Sequence, residues 1–235
     1  MDKEERRIKI LELLSKNGSV EVSELARLFH LSEMSIRNDL NYLARNGKLQ
    51  RTYGGALIGS TSKLELSLRE KQQKNMREKS IIGKAAAEFI HDGDTIMLDS
   101  GTTTQQLAKN LVNRKNITVI TNGINIVNTL AGIEGITLYT VGGQINARSF
   151  AIVGSEAEKS LKGYLAGVCV ISVDGVDLKR GLTNNSQQDV NVTRILIQQS
   201  EKKILLCDSS KLGQIALIPI CPLNTIAILV TDESA

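Results

Sequence analysis

The chain has 235 residues, 41% hydrophobic and 3% aromatic with no Trp, which suits one large domain or two unequal ones with aliphatic cores and excludes a platform of exposed aromatics for stacking bases. The formal charge of +4 is uneven: residues 1–58 carry ten Lys/Arg and eight Asp/Glu, residues 59–80 six and three, and residues 81–235 thirteen and fourteen, so the basic surplus fits a polyanion partner at the N-terminal end. Apolar runs fall short of the roughly 20 residues of a membrane span, the charged start leads into no signal core, and Cys169, Cys207 and Cys221 lack metal-ligand spacing, so a cytoplasmic protein with reduced thiols and no membrane, metal or cofactor is expected.

The first segment reads as a small helical module. Residues 4–15 place Ile8, Leu11 and Leu14 at helical spacing between charges, and Asn17-Gly18 stops that helix. Residues 19–22 form an extended link. Ser23 stands as the N-cap of a second helix over 24–29, with Leu25, Leu28 and Phe29 inward. His30-Leu31 makes the turn. Ser32 caps a third helix running to about Asn46, with Glu33 and Asp39 as the acidic residues that helix starts favour.

Ile36, Leu40 and Leu43 form the buried stripe of this third helix. Ser35, Arg37, Asn38 and Asn41 lie off it and are the residue types that bond phosphates and base edges, Arg toward guanine and Asn toward adenine. A short helix, a tight turn and a helix with a polar outer face make a helix-turn-helix over about residues 20–39. Gly47 ends the third helix. Two short extended runs, 48–53 and 56–58, flank Gly54-Gly55, a pair suited to positive φ in a tight hairpin. This wing would carry Lys48 and Arg51 to phosphates. The same pattern also fits a three-helix interaction domain with a solvated face.

Residues 59–80 change character. Residues 59–62 are small and flexible, Leu64–Leu68 is short enough to pack on a neighbour, and Arg69–Lys79 is polar, basic and helical in pattern. The segment reads as a linker and a natural relay between an N-terminal domain at 1–58 and a C-terminal one at 81–235.

From Ile81 onward apolar strands alternate with helices, the signature of a parallel α/β sheet. Helical spacing of Ile82, Ala86 and Phe89 precedes a strand over 95–99; further strands are expected over 117–121, 136–141, 168–173, 203–207 and 225–230, with helices over about 105–111, 155–161 and 189–200. Polar or glycine-rich segments fall at the strand ends: 99–104, 121–123, 142–143, 174–177 and 208–211. Ligands of such sheets bind beyond those ends. Residues 99–104 join a strand to a helix start through Ser-Gly-Thr-Thr, placing backbone N–H groups, hydroxyls and the helix dipole around one point, a cradle for phosphate. A Walker lysine is missing, which disfavours a nucleoside triphosphate.

Residues 35–40, Ser-Ile-Arg-Asn-Asp-Leu, and 51–56, Arg-Thr-Tyr-Gly-Gly-Ala, resemble the DNA-binding signature of the DeoR family of bacterial repressors. Asn38 stands where many members carry a second Arg and Tyr53 where many carry His, and here the chain is similar to the branch that controls N-acetylgalactosamine use. The strand-end segments resemble that family's effector domain, whose fold is similar to ribose-5-phosphate isomerase. The matching positions are Asp99, Ser100, Gly101, Thr102 and Thr103; Thr121 and Asn122; Gly142 and Gly143; Asp174 and Gly175; and residues 208–211 with Lys211. The resemblance implies that the first loop holds an effector phosphate and that Asp174 and Lys211 contact sugar hydroxyls or phosphate. It spans about residues 3–233. Asp189 departs from the usual Glu and Leu212 from a common Phe, and the chain stops near Ser234, before members usually end, so a closing strand or helix of the family's domain is expected to be missing.

The fold class expected is therefore α/β with an N-terminal winged helix-turn-helix and a C-terminal parallel sheet. The function expected is a transcriptional regulator, a repressor of a sugar-utilisation operon. It binds double-stranded operator DNA as a dimer or tetramer and leaves it when a phosphorylated sugar, such as N-acetylgalactosamine 6-phosphate, shifts the population to a non-binding state. A sugar-phosphate isomerase is the rival, with Asp174 or Asp99 as base and Lys211 as electrophile. Against it, residues 181–186 lack the glycine-rich, lysine-containing loop of those enzymes, and neither His30 nor His91 lies near a strand end. Activation of transcription instead of repression is the other alternative.

Overall fold

The computed structural model describes residues 2–46, 48–57 and 68–235. The helix stop expected at Gly47, the strand end at Ile58 and the flexible stretch 59–62 lie outside the described residues. The chain divides into two compact units, Met1–Glu65 and Leu66–Ala235.

The first unit begins with α1 (Lys3–Asn17), entered through a capping box in which Asp2 accepts from the Glu5 N–H and Glu5 reaches back to the Asp2 N–H. Its buried column is Arg6, Ile10 and Leu14, spaced four apart, while Ile8 faces solvent. β1 (Ser19–Glu21) runs directly into α2 (Val22–Phe29). The expected cap at Ser23 is not used: Val22 is buried and its N–H extends the ladder to the Gly54 carbonyl at 2.9 Å, so the helix starts two residues earlier with no side-chain cap. Leu25 is buried and Phe29 half-buried, but Leu28 is exposed.

α3 (Glu33–Arg45) is capped by Ser32, whose hydroxyl accepts from the Ser35 N–H at 3.3 Å. Ile36, Leu40 and Leu43 are buried as the spacing predicts. β2 (Gln50–Arg51) and β3 (Gly55–Leu57) complete a three-stranded antiparallel sheet in the order β1-β3-β2. The wing is thus built, but its glycines act differently from expectation, because neither Gly54 nor Gly55 has positive φ. A Cβ on Gly55 would lie 2.0 Å from the Val20 carbonyl oxygen, so that position is fixed by the close approach of β1 and β3.

The second unit opens with α4 (Leu68–Gln73) and α5 (Met76–Ala87). The described part of the expected linker is therefore helical and belongs to this unit. There follow β4 (Thr95–Leu98), α6 (Thr102–Asn110), β5 (Ile117–Thr121), α7 (Ile124–Leu130), β6 (Ile136–Thr140), β7 (Gln144–Ile145), β8 (Ile152–Val153), α8 (Ser155–Leu161) and β9 (Ala166–Ser172). The chain continues through β10 (Gly175–Asp177), β11 (Gly181–Asn184), α9 (Gln187–Gln198), β12 (Ser200–Leu206), β13 (Ile218–Cys221) and β14 (Ile228–Val230).

Six of these strands form a parallel sheet in the order β14-β12-β9-β4-β5-β6. Alternation along the strands sends Met97, Cys169, Ile171 and Leu205 to one face against α8 and α9, and Ile96, Leu98, Val170 and Ile204 to the other against α5, α6 and α7. The chain moves outward from β4 through β5 to β6, then returns beside β4 and moves the other way through β9, β12 and β14. The crevice where the order reverses lies between the ends of β4 and β9.

Two features escape the sequence pattern. β10, β11 and β13 form a separate antiparallel sheet, and β7 pairs with β8 as a hairpin. Cys169 and Cys207 are buried free thiols, each pushed up to about 12 by burial, and Cys221 is half-buried.

Candidate functional site

In the first unit the candidate nucleic-acid interface is the outer face of α3 with the wing. Arg37, Asn38 and Asn41 are exposed and Ser35 half-buried. Arg37 is held by Glu33 one turn earlier at 3.0 Å. Asn41 accepts from Arg51 Nε at 3.0 Å, and Arg51 also donates to the Gly55 carbonyl, so the wing is tied to α3 through this pair. Tyr53 stands fully exposed at the wing tip and Lys48 is half-buried at the wing's base.

Asp39 lies elsewhere than its helix-start pattern suggests. It is buried in the middle of α3, not a helix-start charge, and it receives Arg6 Nε at 2.7 Å and Arg7 Nε at 2.8 Å from α1. Arg7 also lies over the Tyr42 ring, 3.8 Å from its centroid. The adjacent Arg pair in α1 was the available signal. Two guanidinium groups on one carboxylate fix the rotation of α3 about its own axis, and with it the direction of the polar face.

In the second unit the candidate site lies beyond the strand ends. Asp99 follows β4 and is buried; its carboxylate accepts from the Ser172 N–H at 2.6 Å, the Ser172 hydroxyl at 3.3 Å and the Gly101 N–H at 2.9 Å. Burial pushes this carboxyl up despite those donors. Asp99 therefore stitches the β4 loop to β9 across the crevice. A Cβ on Gly101 would fall 1.7 Å from Ser172 Oγ and 3.0 Å from Ser172 Cβ, so a side chain there would displace the Ser172 hydroxyl from Asp99. α6 starts at Thr102, three residues before the expected boundary, and its N-cap Gly101 supplies no side-chain bond. The first N–H groups of α6, on Thr102, Thr103 and Thr104, thus lack both intrahelical and capping partners.

Thr121 at the end of β5 donates to the Leu98 carbonyl at 2.8 Å and accepts from the Gly123 N–H at 3.0 Å. Asn122 donates to the Ile152 carbonyl at 3.2 Å, and Asn125 of α7 to the Ser100 carbonyl at 3.0 Å. The buried Oδ1 atoms of Asn122 and Asn125 have no hydrogen-bond partner among the described residues. Gly142 and Gly143 stand farther out, exposed beyond the edge strand β6, with Gly143 against the Val153 carbonyl.

Asp174 follows β9. Lys71 Nζ lies 2.7 Å from its Oδ1, and Asn185 donates to its Oδ2 at 3.1 Å. Burial pushes the Asp174 carboxyl up, but Lys71 and Lys211 together outweigh it and hold it below the usual range. Gly175 is buried, with the Gln214 carbonyl where a side chain would begin. The Gly213 N–H bonds the Val176 carbonyl at 2.8 Å, which brings the 209–214 turn beside β10 and Lys211 near Asp174. Burial pushes the Lys211 ammonium down. The expected residues at the ends of β4, β5, β9 and β12 are therefore gathered, and Lys71, Asn75, Ser172 and Asn185 join them unforeseen.

The DeoR-like helix-turn-helix domain matches residues 6–62 and the DeoR C terminal sensor domain matches residues 74–233. The chain belongs to the DeoR family. Within the family's sphere, it is 36% identical over 231 residues to a "Putative aga operon transcriptional repressor" of Escherichia coli O157:H7, covering 97% of this chain and 86% of that protein. It is 35% identical to the "HTH-type transcriptional repressor GlcR" of Bacillus subtilis (strain 168), covering 99% of this chain and 90% of that protein. Among solved structures, ribose 5-phosphate isomerase from Plasmodium falciparum is 18% identical with a TM-score of 0.43, covering 58% of this chain and 52% of that one. That likeness is loose and decides nothing about chemistry.

Proposed function

We propose that this DeoR-family chain represses a sugar-utilisation operon by holding double-stranded operator DNA through α3 and the wing, as a dimer or tetramer, and lets go when a phosphorylated sugar binds the second unit. The observation that carries this reading is the uncapped N-terminus of α6 at the reversal of strand order, with Asp174 and Lys211 across the crevice. Open N–H groups and the helix dipole favour a phosphate. Open acceptors on Asn122 and Asn125 suit sugar hydroxyls. Two relatives carry "repressor" in their names, and the first concerns the aga operon, which favours N-acetylgalactosamine 6-phosphate as the effector.

Family membership favours a regulator over an isomerase, and of the two candidate bases Asp99 already accepts from Ser172 and Gly101. The test is a thermal-shift screen of sugar phosphates on the purified chain. A selective rise in melting temperature with a phosphorylated amino sugar, absent with the unphosphorylated one, supports the reading. Steady turnover of a sugar phosphate contradicts it. Expression of the operon in a deletion strain decides between repression and activation.

A further inference from the structure

α4 and the turn after it lie across the carboxyl ends of three adjacent parallel strands. Asn75 donates to Asp208 beyond β12 at 2.8 Å, Lys71 bonds Asp174 beyond β9 at 2.7 Å, and Gln72 donates to Gln105 in the first turn of α6 beyond β4 at 3.0 Å. The Leu68 N–H adds a bond to the Arg148 carbonyl at 2.7 Å. α4 has six residues, too few to persist by itself. Its position thus depends on this handful of contacts, mostly polar, at the mouth of the strand-end site.

Several lysines crowd together there. Lys79, only 4% exposed, gives its ammonium to the Lys74 carbonyl at 2.7 Å and to the Lys71 carbonyl, tying off the end of α4. Burial pushes it down to about 8, Asp208 pulls it back, and Lys211, Lys71 and Lys74 press it lower still. Lys211 feels Asp174 and Asp208 in one direction and Lys71 and Lys74 in the other. Lys71, Lys74, Lys79 and Lys211 crowd around Asp174 and Asp208, and Asp189, already bonded by Ser149 and Asn146, also feels Lys71. Three of the four lysines belong to α4, α5 or the turn between them. Repulsion among these ammonium groups opposes their close approach, and a bound anion would relieve it.

We propose that α4 is an anion-dependent strap, in which Lys71 leaves its counter-ion Asp174 to share a bound phosphate ester with Lys211 and so clamps α4 over the ligand. The proposal deepens the effector reading and rests on it: it makes Lys71 the residue that distinguishes a phosphorylated sugar from a neutral one. A dianion gains charge-assisted bonds from both ammonium groups and relieves their mutual repulsion. Because α4 is the first described element after the wing in the chain, its clamping is the step through which occupancy would be passed toward the DNA-binding unit.

Calorimetric titration of the full chain with inorganic phosphate and with N-acetylgalactosamine 6-phosphate, paired with amide exchange of residues 68–75, tests this. Wild type is expected to bind both probes, and exchange over 68–75 to slow. Lys71→Gln is expected to lose affinity by about tenfold or more and to lose that slowing. Lys71→Arg should keep most of both, and Lys84→Gln, exposed on α5, should keep all. If Lys71→Gln binds the probes as tightly as wild type, or if residues 68–75 exchange equally fast with and without ligand, the strap is refuted while the strand-end site survives. If wild type binds neither probe nor any other sugar phosphate, the effector reading falls and the strap with it.

Discussion

Asp99 and Ser172 meet where the sheet reverses its strand order, with the Ser172 N–H 2.6 Å from Asp99 Oδ2. Their bond closes the ends of β4 and β9 together and aims the N-terminus of α6 at the crevice. A ligand site of this kind is made by topology first and by side chains second.

Replacement of Asp99 by Asn should therefore damage the framework of the site. The amide turns a donor toward one of the N–H groups that the carboxylate now accepts. A lost charge-assisted bond costs about 1.5–3 kcal/mol, and the second unit should lose about that much in chemical denaturation. Unchanged stability would show that the stitch is idle.

Asp39 should behave differently. Asp39→Ala leaves Arg6 buried without its partner, a fault that costs about 3–5 kcal/mol. Operator binding should vanish with the first unit's melting transition, while phosphate binding to the second unit stays. Retained DNA binding would mean that α3 is not positioned by this pair.

Arg37→Ala should separate recognition from stability. Its bond to Glu33 is exposed, and such i,i+4 pairs are worth about 0.3–0.5 kcal/mol, so the fold should hold. A bidentate base contact is worth about 1–3 kcal/mol, so anisotropy titrations should show operator affinity falling by that amount, with effector binding intact.

Anion binding should weaken as pH rises through about 8, where Lys79 loses its proton. A bound phosphate favours charged Lys79, so binding takes up a proton and affinity falls above the free-state value. The ester itself is already a dianion there, since its second pKa is about 6. Asp208, Lys211, Lys71 and Lys74 face Lys79; Lys211, also pushed down by burial, should leave a residual slope in Lys79→Met. Calorimetry across this range checks it, and a flat profile in wild type would count against the lysine cluster.

The periodicity of Ile36, Leu40 and Leu43, the alternation of apolar strands with helices, and the polar strand ends were all legible in the sequence, because each depends on local spacing. What was not legible depended on distant partners. Asp39 looks like any acidic helix residue until Arg6 and Arg7 come from α1. Gly55 looks like a turn glycine until Val20 approaches. Lys71 and Asn75 sit in a run that reads as a solvated connector, and their partners Asp174 and Asp208 lie more than a hundred residues away. The short strands β10, β11 and β13, which carry the Lys211 turn to Asp174, are too brief and irregular to show a period.

We propose that one chain binds DNA with its first unit and releases it when the second unit takes a sugar phosphate. The decisive experiment is fluorescence anisotropy of a labelled fragment from upstream of its own gene, titrated with the wild-type chain and then with N-acetylgalactosamine 6-phosphate and its phosphorylated relatives. Tight binding that one phosphorylated sugar reverses and the matching neutral sugar does not is expected, with Thr102→Val still bound to DNA but requiring more ligand for release. DNA that stays bound at saturating levels of every phosphorylated sugar, or a Thr102→Val chain as readily released as wild type, would contradict it.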